Sequence, residues 1–434
     1  MCSCAPFAPR SSTEDSVGSP ASMDNVQAIL PFMRVPPPRD VHHRPFVYIH
    51  GHGIPGRALP FTLLTYNTLS PTHAANHPYL YASSVAQWDD KVLDVSFRHP
   101  KILQELEYYN ADIVCLQEVD AQHWHSLFKP HMHSRGYNGI YKQRTNQKPD
   151  GLALFYKTNL FDLVASKSIE YINDSPSGIG RDNVGVLALL QARDEAKPCI
   201  CIATTHLLFN PRRGLVKLTQ IQRLAEEAAW LAAIGESSGM RVPIVICGDM
   251  NFTPDSLIYE YLMRGSACIP LSLDSILSGL KRNKTEGHYQ GDHSSIFDVP
   301  YHQSYDHDSI FRKLPLRLVS ALAPHTHVET NQPYVTTAHD MDAQMVDFIF
   351  YGERRSSSSS CRNASIDGAP DDAAKSQELL DVRIRCTGYL EPPTIDDQLK
   401  LPNPHLPSDH VLLLAGFTME GLPYRSAPNA PNGS

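Results

Sequence analysis

A chain of 434 residues, 42% apolar and 19% charged, can bury a sizeable core as one large domain or two ordinary ones. Its formal net charge of −8 argues against a general electrostatic grip on nucleic acid and leaves room for a local phosphate site, where a metal ion or basic cluster supplies the positive field. No apolar run approaches the roughly 20 residues that span a bilayer, and "MCSCAPFAPRSSTEDSVGSP" lacks the basic-then-apolar order of a secretory signal, so no membrane partner and a cytoplasmic or nuclear location are expected.

Residues 1–45 are Ser- and Pro-rich, end in "VPPPRDVHHRP" and lack periodicity, which reads as a disordered leader closed by a stiff linker. The folded part begins near Phe46. Short apolar runs rich in β-branched residues predict strands over Phe61–Tyr66, Ile113–Gln117, Leu152–Tyr156, Val184–Gln191, Ile200–Thr204, Val242–Cys247, Val346–Tyr351, Val382–Thr387 and Val411–Phe417. Helical spacing predicts Phe97–Tyr109, behind Asp94 and Ser96 as caps, and Lys217–Ala233, where Leu218, Ile221, Leu224, Ala225, Ala228 and Leu231 share a face. Many strands with few helices between them predict mixed or antiparallel sheets with helices outside, a layered α/β or α+β architecture. Two stretches read as insertions, 265–335 and the serine-rich 354–380, and residues 421–434 read as a flexible tail. Of nine cysteines, Cys115, Cys199, Cys201 and Cys247 fall inside apolar runs and read as buried reduced thiols; zinc-ribbon spacing is lacking.

Several of these runs end in polar residues that core packing does not require. "LLTYN" ends in Asn67, "IVCLQE" in Glu118 and "IATTH" in His206. In "IVICGDMN" the period-two geometry of extended chain lets Asp249 and Asn251 project the same way. Asp347 sits between Val346 and Phe348, where a buried carboxylate needs a partner, naturally a histidine. "LPSDH" places Asp409 and His410 just before the last strand. Taken singly, each has an ordinary reading: a turn, a solvated strand end, an Asx turn or a hydrogen-bonded histidine. Strand ends on one rim of a sheet can converge, however, and this set suits a hard divalent cation with acid/base groups, the equipment of phosphate-ester hydrolysis. No serine elbow, Gly-rich phosphate loop or HExxH helix competes with it.

"TYNTLS", "VSFRHPKIL", "ADIVCLQEVD", "KPDGLALFYK", "RDNVGVLALL", "TTHLLFNPRRGLVKLTQ", "CGDMN", "VDFIFY" and "LPSDH" stand in an order that resembles the endonuclease/exonuclease/phosphatase superfamily, and within it the Angel family, related to nocturnin and the mRNA deadenylase subunits. The resemblance implies a catalytic domain over residues 46–420 with a four-layer sandwich, two β-sheets packed face to face and flanked by helices, and an Mg²⁺-dependent site at one end in which Mn²⁺ can substitute. It implies that Glu118 holds the metal with Asn67 beside it and Asp409 in support, and that Asp249 activates water while Asn251 holds water or phosphate. His410, oriented by Asp347, would contact the scissile phosphate, and His206 would stabilise the transition state. Arg212 and Arg213 form the best local basic cluster for a nucleic-acid phosphate, with Arg181 similar and Asn183 a weaker substrate contact. The expected activity is hydrolysis at RNA 3′ ends, first as a 2′,3′-cyclic phosphatase. The alternatives are a 3′-exoribonuclease removing poly(A), a dinucleotide phosphatase or 2′-phosphodiesterase, and an inactive scaffold. The expected partners are an RNA 3′ end and mRNA decay or translation factors.

Overall fold

β-Branched and aromatic runs pair into two large sheets. The computed structural model describes residues 44–49, 51, 53–174, 180–280, 309–355, 379–394 and 399–423; most of the expected leader, the serine tract and most of the expected tail lie outside the described residues. The first sheet has seven strands: β1 (Phe46–Tyr48), β2 (Arg57–Asn67), β3 (Ile113–Asp120), β4 (Tyr137–Gln143), β5 (Asp150–Lys157), β16 (Arg383–Leu390) and β17 (Leu413–Leu422). Their spatial order is β1-β16-β17-β2-β3-β5-β4. The second sheet has six, in the order β12-β15-β9-β8-β7-β6: β6 (Phe161–Glu170), β7 (Val184–Ala192), β8 (Cys199–His206), β9 (Ile244–Asp249), β12 (Leu316–Ser320) and β15 (Asp347–Arg354). Both sheets are mixed, with β2 parallel to β3 and β8 parallel to β9. Two-stranded ribbons β10 (Ser266–Pro270) with β11 (Ser309–Lys313), and β13 (Thr337–Ala338) with β14 (Ala343–Gln344), complete the strands.

The alternation within β2 explains the layering. Phe61 and Leu63 pack into the main core with Ile113, Cys115 and residues of the second sheet, whereas Leu64 and Tyr66 pack on the opposite face with Ile102, Leu106 and Tyr109 of helix α2 (Val95–Tyr109). On the second sheet, Leu218, Ile221, Leu224, Ala225 and Ala228 of α3 (Gly214–Gly235) join the same core. The result is helix, sheet, sheet, helix. Each fully buried leucine in these layers contributes about 1.5–3 kcal/mol. A short helix, α1 (Pro71–Asn76), follows β2, with Ser70 accepting from the His73 amide as its cap, and α4 (Leu257–Arg264) follows β9.

Part of the stretch expected as an insertion behaves differently. Leu316–Ser320 is an edge strand of the second sheet, paired antiparallel with β15, because Leu316 and Leu318 are buried while Arg317 and Val319 face outward. The six described cysteines are free, five of them buried, as their apolar surroundings predict. Among the described residues, no helix is long and apolar enough to cross a membrane.

Candidate active site

The two parallel pairs put four strand ends on one rim. β2 and β3 run side by side with Asn67 opposite Gln117, and β8 and β9 with His206 opposite Asp249. Antiparallel β15 begins at the same end, with Asp347 directly opposite Asp249. His410 bridges to Thr337 just before β17, whose Leu413 pairs with Thr65 near the end of β2. Register therefore aligns Asn67 and His410 at the end of the first sheet and His206, Asp249 and Asp347 at the end of the second, and the packing of the two sheets brings the groups together.

Two backbone features bring in the others. A bulge between Leu116 and Val119 puts Glu118 at φ 57, a left-handed conformation that is costly for glutamate and re-aims its side chain. At the end of β9, Gly248 has φ 136, and a Cβ there would lie 2.0 Å from the Thr205 carbonyl, so "CGD" requires glycine. Beyond it the chain leaves the sheet: Asn251 has φ 50, and its N–H donates to Asp249 Oδ1 at 3.1 Å, an Asx turn. The expectation that Asp249 and Asn251 project together from extended chain is corrected here, because the strand ends at Asp249. The Asn251 amide instead donates to Leu207 O at 3.1 Å.

Asp249 Oδ2 is the centre of the site. Asn67 Nδ2 donates to it and to Glu118 Oε1, both at 3.0 Å, while His206 Nε2 lies 3.3 Å and His410 Nε2 3.7 Å away. His410 Nδ1 meets Asp347 Oδ2 at 2.8 Å, and Thr336 Oγ1 accepts from the Asp347 N–H at 3.1 Å. Burial alone would push the His410 imidazole down, but Asp347 and Asp249 outweigh it and hold the ring well above its ordinary value, as a cation. Glu118 Oε2 accepts from Ser70 N and pairs with His73 Nδ1, each at 2.9 Å. The other ring nitrogen of His73 lies 3.3 Å from Asp150. Burial opposes a charged His73, but Glu118 and Asp150 raise it to about 11. Of these groups His73, Glu118, His206, Asp249 and His410 line a cleft of about 820 Å³.

The endonuclease/exonuclease/phosphatase family model matches residues 64–410. Protein angel homolog 2 of Homo sapiens is 32% identical over 402 residues, covering 83% of this chain and 69% of that protein. Its Danio rerio counterpart is 33% identical over 389 residues, covering 83% of this chain and 64% of that protein. The chain belongs to the Angel branch of this family. It thus spans about two thirds of the length of these Angel relatives. The crystal structure of ANGEL2, described as a 2′,3′-cyclic phosphatase and bound to adenosine-2′,3′-vanadate, superposes with a TM-score of 0.66 at 30% identity, covering 88% of this chain and 99% of that one.

Within this Angel fold the residues expected at the site separate into three groups. Glu118, His206, Asp249, Asn251, Asp409 and His410 line the cleft, as do Asn183 and Arg212, while Asp347 lies behind His410. Asn67 is fully buried beside Glu118 and turns its NH₂ to the carboxylates, its carbonyl oxygen accepting from Leu69 N at 3.0 Å. Asp409 is held by the Tyr81 hydroxyl at 2.9 Å, and Asn183 donates to His206 O at 2.9 Å. Arg181 and Arg213 are not among the lining residues: Arg181 turns back to Gly180 O, and Arg213 occupies the N-cap position of α3.

Three further residues were not legible as site residues. His73 stands in a polar segment without periodicity. Arg98, in "VSFR", is fully buried and donates to Thr68 O, Leu69 O and Pro407 O, tying the exit of β2 to the "PSDH" loop. Lys217, counted with the helical residues, is likewise fully buried.

Proposed function

We propose that the chain is an Mg²⁺-dependent phosphoesterase acting on RNA 3′ ends, opening 2′,3′-cyclic phosphates. The observation that carries this reading is Asp249 Oδ2, a single carboxylate oxygen facing Asn67, His206 and His410 at one point of the cleft. That arrangement offers a water-binding base on one side and two imidazoles for phosphoryl oxygens on the other. The likeness to a structure holding adenosine-2′,3′-vanadate supports the cyclic substrate. Tyr79 and Phe209, 60% and 62% exposed on the cleft wall, give nucleobases surfaces to stack on. Arg212 beside them can meet a backbone phosphate.

In this mechanism Asp249 orients the attacking water and takes its proton. A P–O bond forms to the water oxygen as the bond from phosphorus to the 2′ or 3′ oxygen breaks; that oxygen takes up a proton, leaving a terminal phosphate monoester and a free hydroxyl. His410, kept cationic and oriented by Asp347, and His206 donate toward the non-bridging oxygens as charge builds on them. Glu118 Oε1 and Asp249 Oδ2, both 3.0 Å from one amide nitrogen, form an all-oxygen pair that fits a hard divalent cation. Asp249, Asp347 and His410 also lie close enough to share an ion, but His410 Nδ1 is bound to Asp347 and its Nε2 is assigned to the phosphate. Glu118 and Asp249 would hold Mg²⁺, or Mn²⁺ in its place, which would neutralise charge on the phosphate oxygens.

Incubation of purified protein with Mg²⁺ and labelled RNAs ending in a 2′,3′-cyclic phosphate, a 3′-phosphate or a 3′-hydroxyl poly(A) tail tests the reading. Conversion of the cyclic end to a monoester without shortening is expected. A ladder from poly(A) with the cyclic end untouched would replace it with a deadenylase.

A further inference from the structure

Lys217 breaks two local rules. It stands in the first turn of the 22-residue helix α3, where the helix dipole disfavours a cation, and its side chain is completely buried. Among the described residues no carboxylate lies at ion-pair distance from it. Its partners are two backbone carbonyls, with Nζ donating to Asn251 O at 2.6 Å and to Phe209 O at 3.3 Å. Asn251 closes the turn that carries Asp249, and its own amide reaches Leu207 O. Phe209 belongs to the same Leu207–Arg212 wall of the cleft. The ammonium therefore joins the turn behind the central carboxylate to the wall that faces the substrate. Burial pushes this ammonium down to about 7, against the opposing influence of Asp249 and Asp274. The cost of burying this ammonium is set against two backbone carbonyls that have it as a donor, both in segments that shape the cleft.

We infer that Lys217 is a positioning residue for the phosphoester chemistry, its ammonium fixing Asn251 in its left-handed turn and thereby holding Asp249 in register with the cleft wall. The inference rests on the phosphoesterase reading above. It is tested with Lys217→Met, which keeps the volume and removes both donors, and Lys217→Gln, which keeps a donor without the charge. On an RNA 2′,3′-cyclic phosphate with Mg²⁺, kcat of the methionine variant is expected to fall about 100-fold, the scale of a small misplacement of reacting groups, with KM within about threefold. Its melting temperature is expected within about 5 °C of the wild type or above it, and the glutamine variant should lie between. A folded methionine variant with kcat within about threefold of the wild type overturns the inference. So does a kcat loss matched in both variants by melting more than about 5 °C lower, which assigns the lysine to structure. If the methionine variant does not fold, the glutamine variant decides by the same two readouts. If the wild type hydrolyses no phosphate ester, the functional reading fails separately. The crystal structure of a folded variant then decides the inference: Asn251 displaced from φ 50 supports it, and Asn251 unmoved overturns it.

Discussion

The cleft holds two carboxylate–imidazole pairs that differ in how the fold holds them. Asp347 and His410 are both buried, joined at 2.8 Å, with Asp347 fixed by strand register opposite Asp249 and by Thr336. Glu118 and His73 are joined at almost the same distance, 2.9 Å, but Glu118 sits in a bulge and His73 on the six-residue α1, with side chains 11% and 25% exposed. Asp347 opens β15 and His410 is bridged to Thr337 just before β17, whereas Glu118 bulges out of β3 and His73 stands on a short connecting helix. A pair locked by register suits preorganised charge at phosphorus, where reorganisation would cost rate. A carboxylate shared among Asn67, Ser70 and His73 at the open side can exchange partners when a cation arrives.

That contrast can be broken from either side, and the largest effect is expected at the locked pair. His410→Ala should lower kcat by about 10³-fold or more, the scale of losing a positioned acid/base group, while circular dichroism and melting show an intact fold. Near-normal turnover would remove His410 from the mechanism. Glu118→Gln should weaken Mn²⁺ binding at least about 100-fold by isothermal titration and turnover in proportion, and chelation of the wild type should abolish activity that added Mg²⁺ restores. Unchanged Mn²⁺ affinity would move the cation to other residues. Asp347→Asn should cost about 100-fold in kcat with KM little changed, since the imidazole stays in place but loses the charge that keeps it cationic.

How far the sequence revealed this site depends on which pair is considered. Asp249, Asp347 and His410 were legible because each ends or opens an apolar run, and register with the packing of the two sheets then does the rest. Asn251 was recognised but placed wrongly, since a turn with positive φ leaves no trace in a period-two pattern. The Glu118 bulge was hidden for the same reason, as "IVCLQEVD" reads like any strand with a polar end. Layering was predictable from strand-rich patterning, but edge strands β4 and β6 were missed: "YNGIYKQ" and "FDLVASKSIE" expose so many residues that their apolar runs are short. Arg98 looked like an ordinary polar residue of an amphipathic helix. Only the fold shows that its guanidinium replaces water for three carbonyls where β2 meets the last loop.

The smallest effect is expected at His73, and it separates the pairs most sharply. Because both ring nitrogens face carboxylates, the imidazole acts as a cationic spacer between Glu118 and Asp150, and Asp150 is held in turn by Arg144 at 3.3 Å. Glu118 keeps three other contacts when the ring is removed: Asn67 Nδ2, the Ser70 amide and the His206 ring at 3.9 Å. His73→Asn should therefore cost about tenfold in turnover at limiting Mg²⁺, at the low end of the range for groups that support a metal ligand, and much of that loss should be recovered at saturating Mg²⁺. Asp347→Asn should show no such recovery, because in the proposed mechanism its partner His410 acts on the phosphate directly and not through the metal ion. If excess Mg²⁺ rescued both variants alike, the two pairs would share one role and the division between them would be wrong.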